Sequence, residues 1–122
     1  MATLKEKYQT LVRRLFEKTM SGDVDWEIGF NNDLYCTLSG RYVYLKYTRD
    51  ADGEPLEILE LKDSSDQIVD SFNDTDITDM VDGYEGIANY YQLMSVLRRS
   101  ARRKAVGADK ALDDILRGLG GE

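Results

Sequence analysis

Five basic side chains lie close together near the end of the chain, in the stretch Arg98-Arg99-Ser100-Ala101-Arg102-Arg103-Lys104. At about 100° of rotation per residue in an α-helix, its four arginines fall on one arc beside the apolar positions. Guanidinium groups bind carboxylates and phosphates through paired hydrogen bonds. We therefore expect this arginine ribbon (Arg98, Arg99, Arg102 and Arg103) to bind a partner, with pairing to the protein's own acidic loops as the alternative.

Tyrosine is the second residue type that could make contacts, with eight copies in 122 residues. In a strand, Tyr42 and Tyr44 face one side while the alternating Val43 and Leu45 face the other. Exposed tyrosines on a sheet are typical of protein interfaces, and on an open sheet they can also stack on nucleic-acid bases. Because the surrounding sequence is acidic, we expect Tyr42 and Tyr44 to bind protein. Ordinary packing within the fold is the alternative.

Catalytic and metal chemistry has few candidate residues in this chain. It has no histidine, the commonest general base and metal ligand, and its single cysteine is Cys36. Nucleophile-elbow, phosphate-loop and dinucleotide-binding motifs are also absent from the sequence. We therefore predict no catalytic residue, no cofactor and no metal site, and we expect Cys36 to be a small buried side chain.

An acidic loop lies in the second half of the chain and contains Asp74, Asp76, Asp79 and Asp82. Its carboxylates could bind Ca²⁺ or Mg²⁺ weakly, because both ions prefer oxygen ligands. Aspartate is also a common N-cap residue, and loops are often solvated by such side chains. Capping and solvation are the simpler interpretation.

The apolar spacing predicts the elements that position these groups. An N-terminal helix is predicted over 4–20, where apolar residues recur on one helical face and Thr3 and Glu6 stand at capping-box spacing. Alternating residues and short turns predict four or five antiparallel strands over 25–72. The first strand, 25–30, places Trp26, Ile28 and Phe30 on one side.

Two helices are predicted in the last third of the chain, over 84–105 and 110–119, with a short helix around 77–82 before them. The 110–119 helix carries an apolar stripe on one face. A helix, a run of strands and two further helices are typical of an α+β fold, with the helices packed on one face of the sheet. The length fits a single domain, 1–122.

Charge is distributed unevenly along the chain. Residues 1–21 have a net charge of +3, residues 22–84 of −12 and residues 85–122 of +2, which gives −7 in total. The predicted sheet is therefore acidic and the helices are basic. The acidic sheet could serve solubility or bind a basic partner.

A cytoplasmic location is expected, because the sequence shows neither a membrane-spanning apolar run nor a signal peptide. The closing stretch 97–114 resembles small bacterial proteins, and this resemblance implies no activity.

Together these features predict a small intracellular interaction or regulatory module that is not an enzyme. It would bind another protein through the Tyr42 and Tyr44 face or through the arginine ribbon. One alternative is nucleic-acid binding by the Arg98–Lys104 helix. Another is a small ligand bound between sheet and helices, and a homodimer is a further expectation for a small Tyr-rich domain.

Overall fold

The computed structural model describes residues 1–120, and within them three α-helices and five strands form an α+β fold. The elements are α1 (Leu4–Met20), β1 (Glu27–Ile28), β2 (Leu34–Leu38), β3 (Arg41–Arg49), β4 (Pro55–Lys62), β5 (Ile68–Asn73), α2 (Tyr90–Ala105) and α3 (Ala108–Gly118). The strands form one antiparallel sheet in sequence order, β1-β2-β3-β4-β5. The predicted order of helix, antiparallel meander and two helices is confirmed.

Helix α1 begins where its sequence predicts. The Thr3 hydroxyl accepts the backbone N–H of Glu6 at 3.1 Å, and the Glu6 carboxylate accepts the backbone N–H of Thr3 at 2.9 Å. This reciprocal capping satisfies two donors that the first turn would otherwise leave free. The helix then buries Val12, Leu15 and Phe16 against the sheet side of the core.

The strand registers decide which side chains reach the core. In the β3–β4 pairing, Val43 lies opposite Leu61 and Leu45 lies opposite Leu59. These side chains share one face of the sheet, and Leu59 is completely buried. Helices α1 and α2 cover this inner face, so that the buried apolar side chains of both layers form one cluster.

Helix α2 begins at Tyr90 and not at residue 84, so the predicted helix 84–105 is wrong for its first six residues. Gly83 and Gly86 have φ angles of 93° and 76°, which a helix cannot contain. Asn89 supplies the N-cap, because its side chain accepts the backbone N–H of Gln92 at 2.9 Å. The short helix predicted around 77–82 is wrong, because the chain forms a 3₁₀ turn earlier, over Asp74–Ile77, and is not helical from 78 to 82.

The first predicted strand, 25–30, is also shorter than expected. Strand β1 contains only Glu27–Ile28, and a 3₁₀ turn over Phe30–Asn32 follows it. Asn31 and Asn32 have φ angles of 59° and 65°, a left-handed conformation that asparagine tolerates and that ends the extended chain. Phe30, which was expected to alternate inward with Trp26, is 95% exposed as a result.

The two C-terminal helices differ in how they pack. Helix α2 lies against the sheet and buries Leu93, Met94 and Leu97. Helix α3 covers Ala108–Gly118, close to the predicted 110–119, and contacts α2, but it buries none of its side chains. The prediction that both helices pack on the sheet is therefore correct for α2 and wrong for α3. The chain turns away from the core at Gly107, which has a left-handed φ of 68°.

None of the helices within residues 1–120 combines the length and the apolar character that crossing a membrane requires.

Cys36 provides a test of the buried sheet. It is 1% exposed on β2, and burial raises the pKa of its thiol to about 12. Because the thiolate is the reactive species, we expect iodoacetamide at pH 8 to leave the native protein unmodified and to react as urea unfolds it. The reaction is measured by intact mass.

The matched control is Thr37→Cys in a Cys36→Ala background, since Thr37 is exposed on the same strand. This thiol should react rapidly in the native protein. Equal reaction rates for the two thiols would show that β2 is not buried as described.

Candidate functional site

The outer face of the sheet, opposite the core, is the first candidate surface. The register places Tyr44 opposite both Tyr35 and Glu60, and it places Tyr42 opposite Lys62. Since side chains alternate along each strand, these residues share the face that points away from Leu45 and Leu59. No helix within residues 1–120 packs on this face, and the side chains are covered only partly, by one another.

Three tyrosines on this face contact one another, and we call them the tyrosine cluster (Tyr35, Tyr42 and Tyr44). The Tyr35 and Tyr44 rings are stacked, with centroids 5.3 Å apart, and the Tyr42 ring meets Tyr35 edge-on at 5.9 Å. Gly29 makes room for the cluster, because a Cβ at that position would lie 3.1 Å from the Tyr35 ring. The cluster is a preformed aromatic surface at the centre of the open face.

Two lysines place positive charge above the Tyr44 ring. The Lys62 Nζ lies 4.3 Å from the Tyr44 centroid and the Lys46 Nζ lies 5.7 Å from it, both within cation–π range. Each lysine also has an acidic neighbour, Asp66 at 3.5 Å for Lys62 and Glu60 at 3.1 Å for Lys46. The Glu60 Oε1 is buried, and its contact with Lys46 lacks hydrogen-bond geometry.

The hydroxyl of Tyr44 keeps its proton more firmly than a free tyrosine does. Burial raises its pKa, and the nearby carboxylates of Asp66 and Asp33 raise it further. The hydroxyl is therefore a neutral donor and acceptor at physiological pH, in acidic surroundings.

Arg98, the first member of the predicted arginine ribbon, is engaged within the protein. Its Nε donates to Glu57 Oε1 at 2.7 Å and its Nη2 donates to Glu57 Oε2 at 3.0 Å. Glu57 is 1% exposed, and the Arg98 guanidinium also lies 4.8 Å from the Tyr47 ring centroid. The hydrogen bonds to Glu57 raise the pKa of Arg98. These two hydrogen bonds join α2 to β4.

The other arginines of the ribbon are exposed but do not act as one group. Arg103 pairs with Asp109 of α3, and the Arg99 Nε donates to the Ser95 carbonyl at 3.3 Å. Arg102 lines a cleft of about 330 Å³ together with Arg98. The continuous ribbon of four is thus divided, and partner binding by Arg99, Arg102 and Arg103 stays a prediction.

The acidic loop uses its carboxylates for local hydrogen bonds. Asp74 accepts the backbone N–H of Glu57 at 2.9 Å, and Asp76 accepts that of Asn73 at 2.9 Å. Asp79 accepts from the Gln9 side chain at 2.8 Å. These aspartates serve separate parts of the fold, and the described residues contain no group of three or more acidic or cysteine side chains arranged to hold a metal ion.

Two parts of this site were not predicted. Tyr35 completes the tyrosine cluster, and its alternation with Leu34 and Cys36 was the available signal. Glu57 shares the spacing of Leu59 and Leu61, so the period of β4 already placed a carboxylate on the inner face. What the sequence could not show was that Arg98 would reach it.

Comparison with protein-family models, with curated proteins and with solved structures gave no match to this chain. Function has to be inferred from the side chains themselves.

The Glu57–Arg98 pair can be tested by comparing a single and a double variant with wild type. We expect Arg98→Met to lower the free energy of unfolding by about 3 kcal/mol, since it leaves the Glu57 carboxylate buried and unpaired. The double variant Glu57→Leu/Arg98→Met should lie within about 1 kcal/mol of wild type, because it removes both charges. Urea unfolding measures all three proteins.

Arg102→Met is the matched control, one helical turn further along α2 and exposed. It should change the unfolding free energy by less than about 0.5 kcal/mol. If Arg98→Met costs no more than this control, the pair does not hold α2 to the sheet.

Proposed function

We propose that this protein is a non-catalytic interaction module that binds another protein through the outer face of its sheet. The observation that carries the proposal is the tyrosine cluster, three rings in mutual contact on a face that no described helix covers. Large aromatic side chains at the centre of an interface contribute much of the binding energy. Because these rings are held by one another, little side-chain entropy would be lost on binding.

Charge indicates the chemistry of the partner. The cluster lies in the part of the chain, residues 22–84, that has a net charge of −12. Its two lysines are each balanced by a carboxylate, and Glu27, which lies opposite Tyr35 in the sheet, leaves a negative charge beside the cluster. A protein surface with an apolar centre and a border of lysine or arginine fits this face. A nucleic-acid backbone would meet repulsion there.

Nucleic-acid binding by α2 is the second candidate function. Arg99 and Arg102 are exposed, and Arg102 stands beside a cleft that also contains Lys46. The Arg98 guanidinium is already paired with Glu57, which reduces the number of guanidinium groups free to bind phosphates. The tyrosine cluster therefore has the stronger support.

The test compares two double variants with wild type. Tagged protein captures partners from host lysate, and the captured partner is then purified and titrated. We expect Tyr42→Ala/Tyr44→Ala to weaken its binding at least about tenfold, because each central aromatic lost costs more than about 1 kcal/mol. Circular dichroism and thermal melting establish that the variant is folded.

Arg99→Glu/Arg102→Glu is the control, and it should bind the same partner as wild type does. Two results would overturn the proposal. One is a partner that the tyrosine variant retains in full. The other is nuclease-sensitive nucleic acid that the arginine variant loses and whose binding falls steeply with salt.

A further inference from the structure

A groove of about 350 Å³ lies between helix α1 and the end of strand β2, and we call it the α1 groove. Its apolar lining comes from Leu11 and Leu15 of α1, Val24 of the segment after the helix, and Leu38 at the end of β2. Leu15 and Val24 are buried, so the floor of the groove is formed by side chains of the core. Concave, mostly apolar lining with a few polar groups is typical of small-molecule sites.

Two basic side chains of α1, Arg14 and Lys18, line the same groove. They are one helical turn apart, and Leu11 lies one turn before them, so the three side chains share one side of the helix. Arg14 and Lys18 are exposed, and within residues 1–120 neither forms an ion pair. Both charges can therefore pair with a bound anion.

One carboxylate, that of Asp23, also lines the groove. It accepts the Ser21 hydroxyl at 2.7 Å, and it forms no ion pair with either basic residue of the groove. The groove thus has two positive charges and one negative charge, in agreement with the net charge of +3 over residues 1–21. Exposed charges beyond about 8 Å are largely screened at physiological ionic strength, so these local charges dominate at the groove.

The shape and charge of the groove select among ligands. From Leu11 to Lys18 it extends about 10 Å along the helix axis, which is too short for the three or four turns of a typical partner helix. A membrane surface is flat and would leave the floor at Leu15 and Val24 uncovered. A single apolar chain with an anionic head would cover the floor and pair with the basic residues, whereas a cationic head would be repelled.

We propose that the α1 groove binds a small amphiphilic anion, a carboxylate on an apolar chain. The chain lies over Leu15 and Val24, and the carboxylate is held by Arg14 and Lys18. This site is separate from the tyrosine cluster, which is on the outer face of the sheet. The proposal therefore stands whether or not the cluster binds a protein partner.

The experiment titrates the full chain with decanoate, octanoate and decyltrimethylammonium, each below its critical micelle concentration, by isothermal titration calorimetry. We expect decanoate to bind at least about tenfold more tightly than decyltrimethylammonium, with the difference reduced at high salt. Octanoate should bind several-fold more weakly than decanoate, because its chain buries two methylenes fewer. Decanoate should also raise the melting temperature, since it binds the folded protein.

Arg14→Gln/Lys18→Gln tests the head-group site, since glutamine keeps the helix propensity while it removes both charges. It should weaken decanoate at least about tenfold and remove the preference over decyltrimethylammonium. Arg102→Gln/Lys104→Gln is the matched control, because it removes two exposed positive charges from α2 and leaves the groove intact. This control should bind decanoate like wild type.

Leu38→Thr tests the apolar lining, since threonine favours a strand and shortens the apolar side chain. It should weaken decanoate several-fold and keep the preference for an anionic head. Tyr42→Ala/Tyr44→Ala should bind decanoate like wild type, which separates this site from the outer face. Circular dichroism establishes that each variant is folded.

The absence of decanoate binding to wild type would overturn the proposal, and so would equal affinity for decanoate and decyltrimethylammonium. Unchanged decanoate binding by Arg14→Gln/Lys18→Gln would overturn it too, because the head group would then lie elsewhere. A lower melting temperature in decanoate would have the same consequence, since it would show preferential binding to the unfolded chain.

Discussion

The pairing of β3 with β4 is the constraint on which the rest of the molecule depends. With Leu45 opposite Leu59, the apolar side chains of both strands face the helices, and Tyr44 and Glu60 face outward. A slip of one residue would exchange the two faces, because side chains alternate with a period of two. The slip would bury tyrosines and a carboxylate and expose the leucines. The core and the candidate interface are thus opposite faces of one sheet, and one strand register determines both. Burial of the leucines stabilises the fold and also brings the tyrosine cluster together on the other face.

The Glu57–Arg98 pair follows from that register as well. Glu57 shares the inner face with Leu59, so its carboxylate is buried. It would have no partner for its charge unless a basic side chain reached it from the helix layer. Arg98 reaches it and donates two hydrogen bonds, which offset the free-energy cost of burying the carboxylate and join α2 to β4. This use of Arg98 changes the interpretation of the basic stretch. An arginine that pairs with a buried carboxylate is not free to hold a phosphate, so the arc seen on a helical wheel overstates the basic surface.

Local signals account for what the sequence could predict. The N-terminal helix has its capping box, and strands β2 to β5 have their alternation and short turns, so those elements agree closely with the expectation. The start of α2 depends instead on a tertiary contact, the bridge between Met80 and Asn89, which holds the preceding segment out of the helix. Asn89 and Gln92 do show a capping spacing, a signal that was available. For the site, alternation could predict that Tyr42 faces away from Val43, but not that Tyr35 would stack on Tyr44.

The exposure of α3 could not be predicted, because an apolar stripe looks the same whether it meets its own core or another protein. The reason it stays outside lies in the core. Leu93 and Leu97 of α2 are completely buried, and α1 adds Val12, Leu15 and Phe16 to the same core cluster. The chain then turns at Gly107, whose left-handed conformation directs α3 away from this layer. The apolar stripe of α3 therefore lies outside the core that α1, α2 and the sheet share.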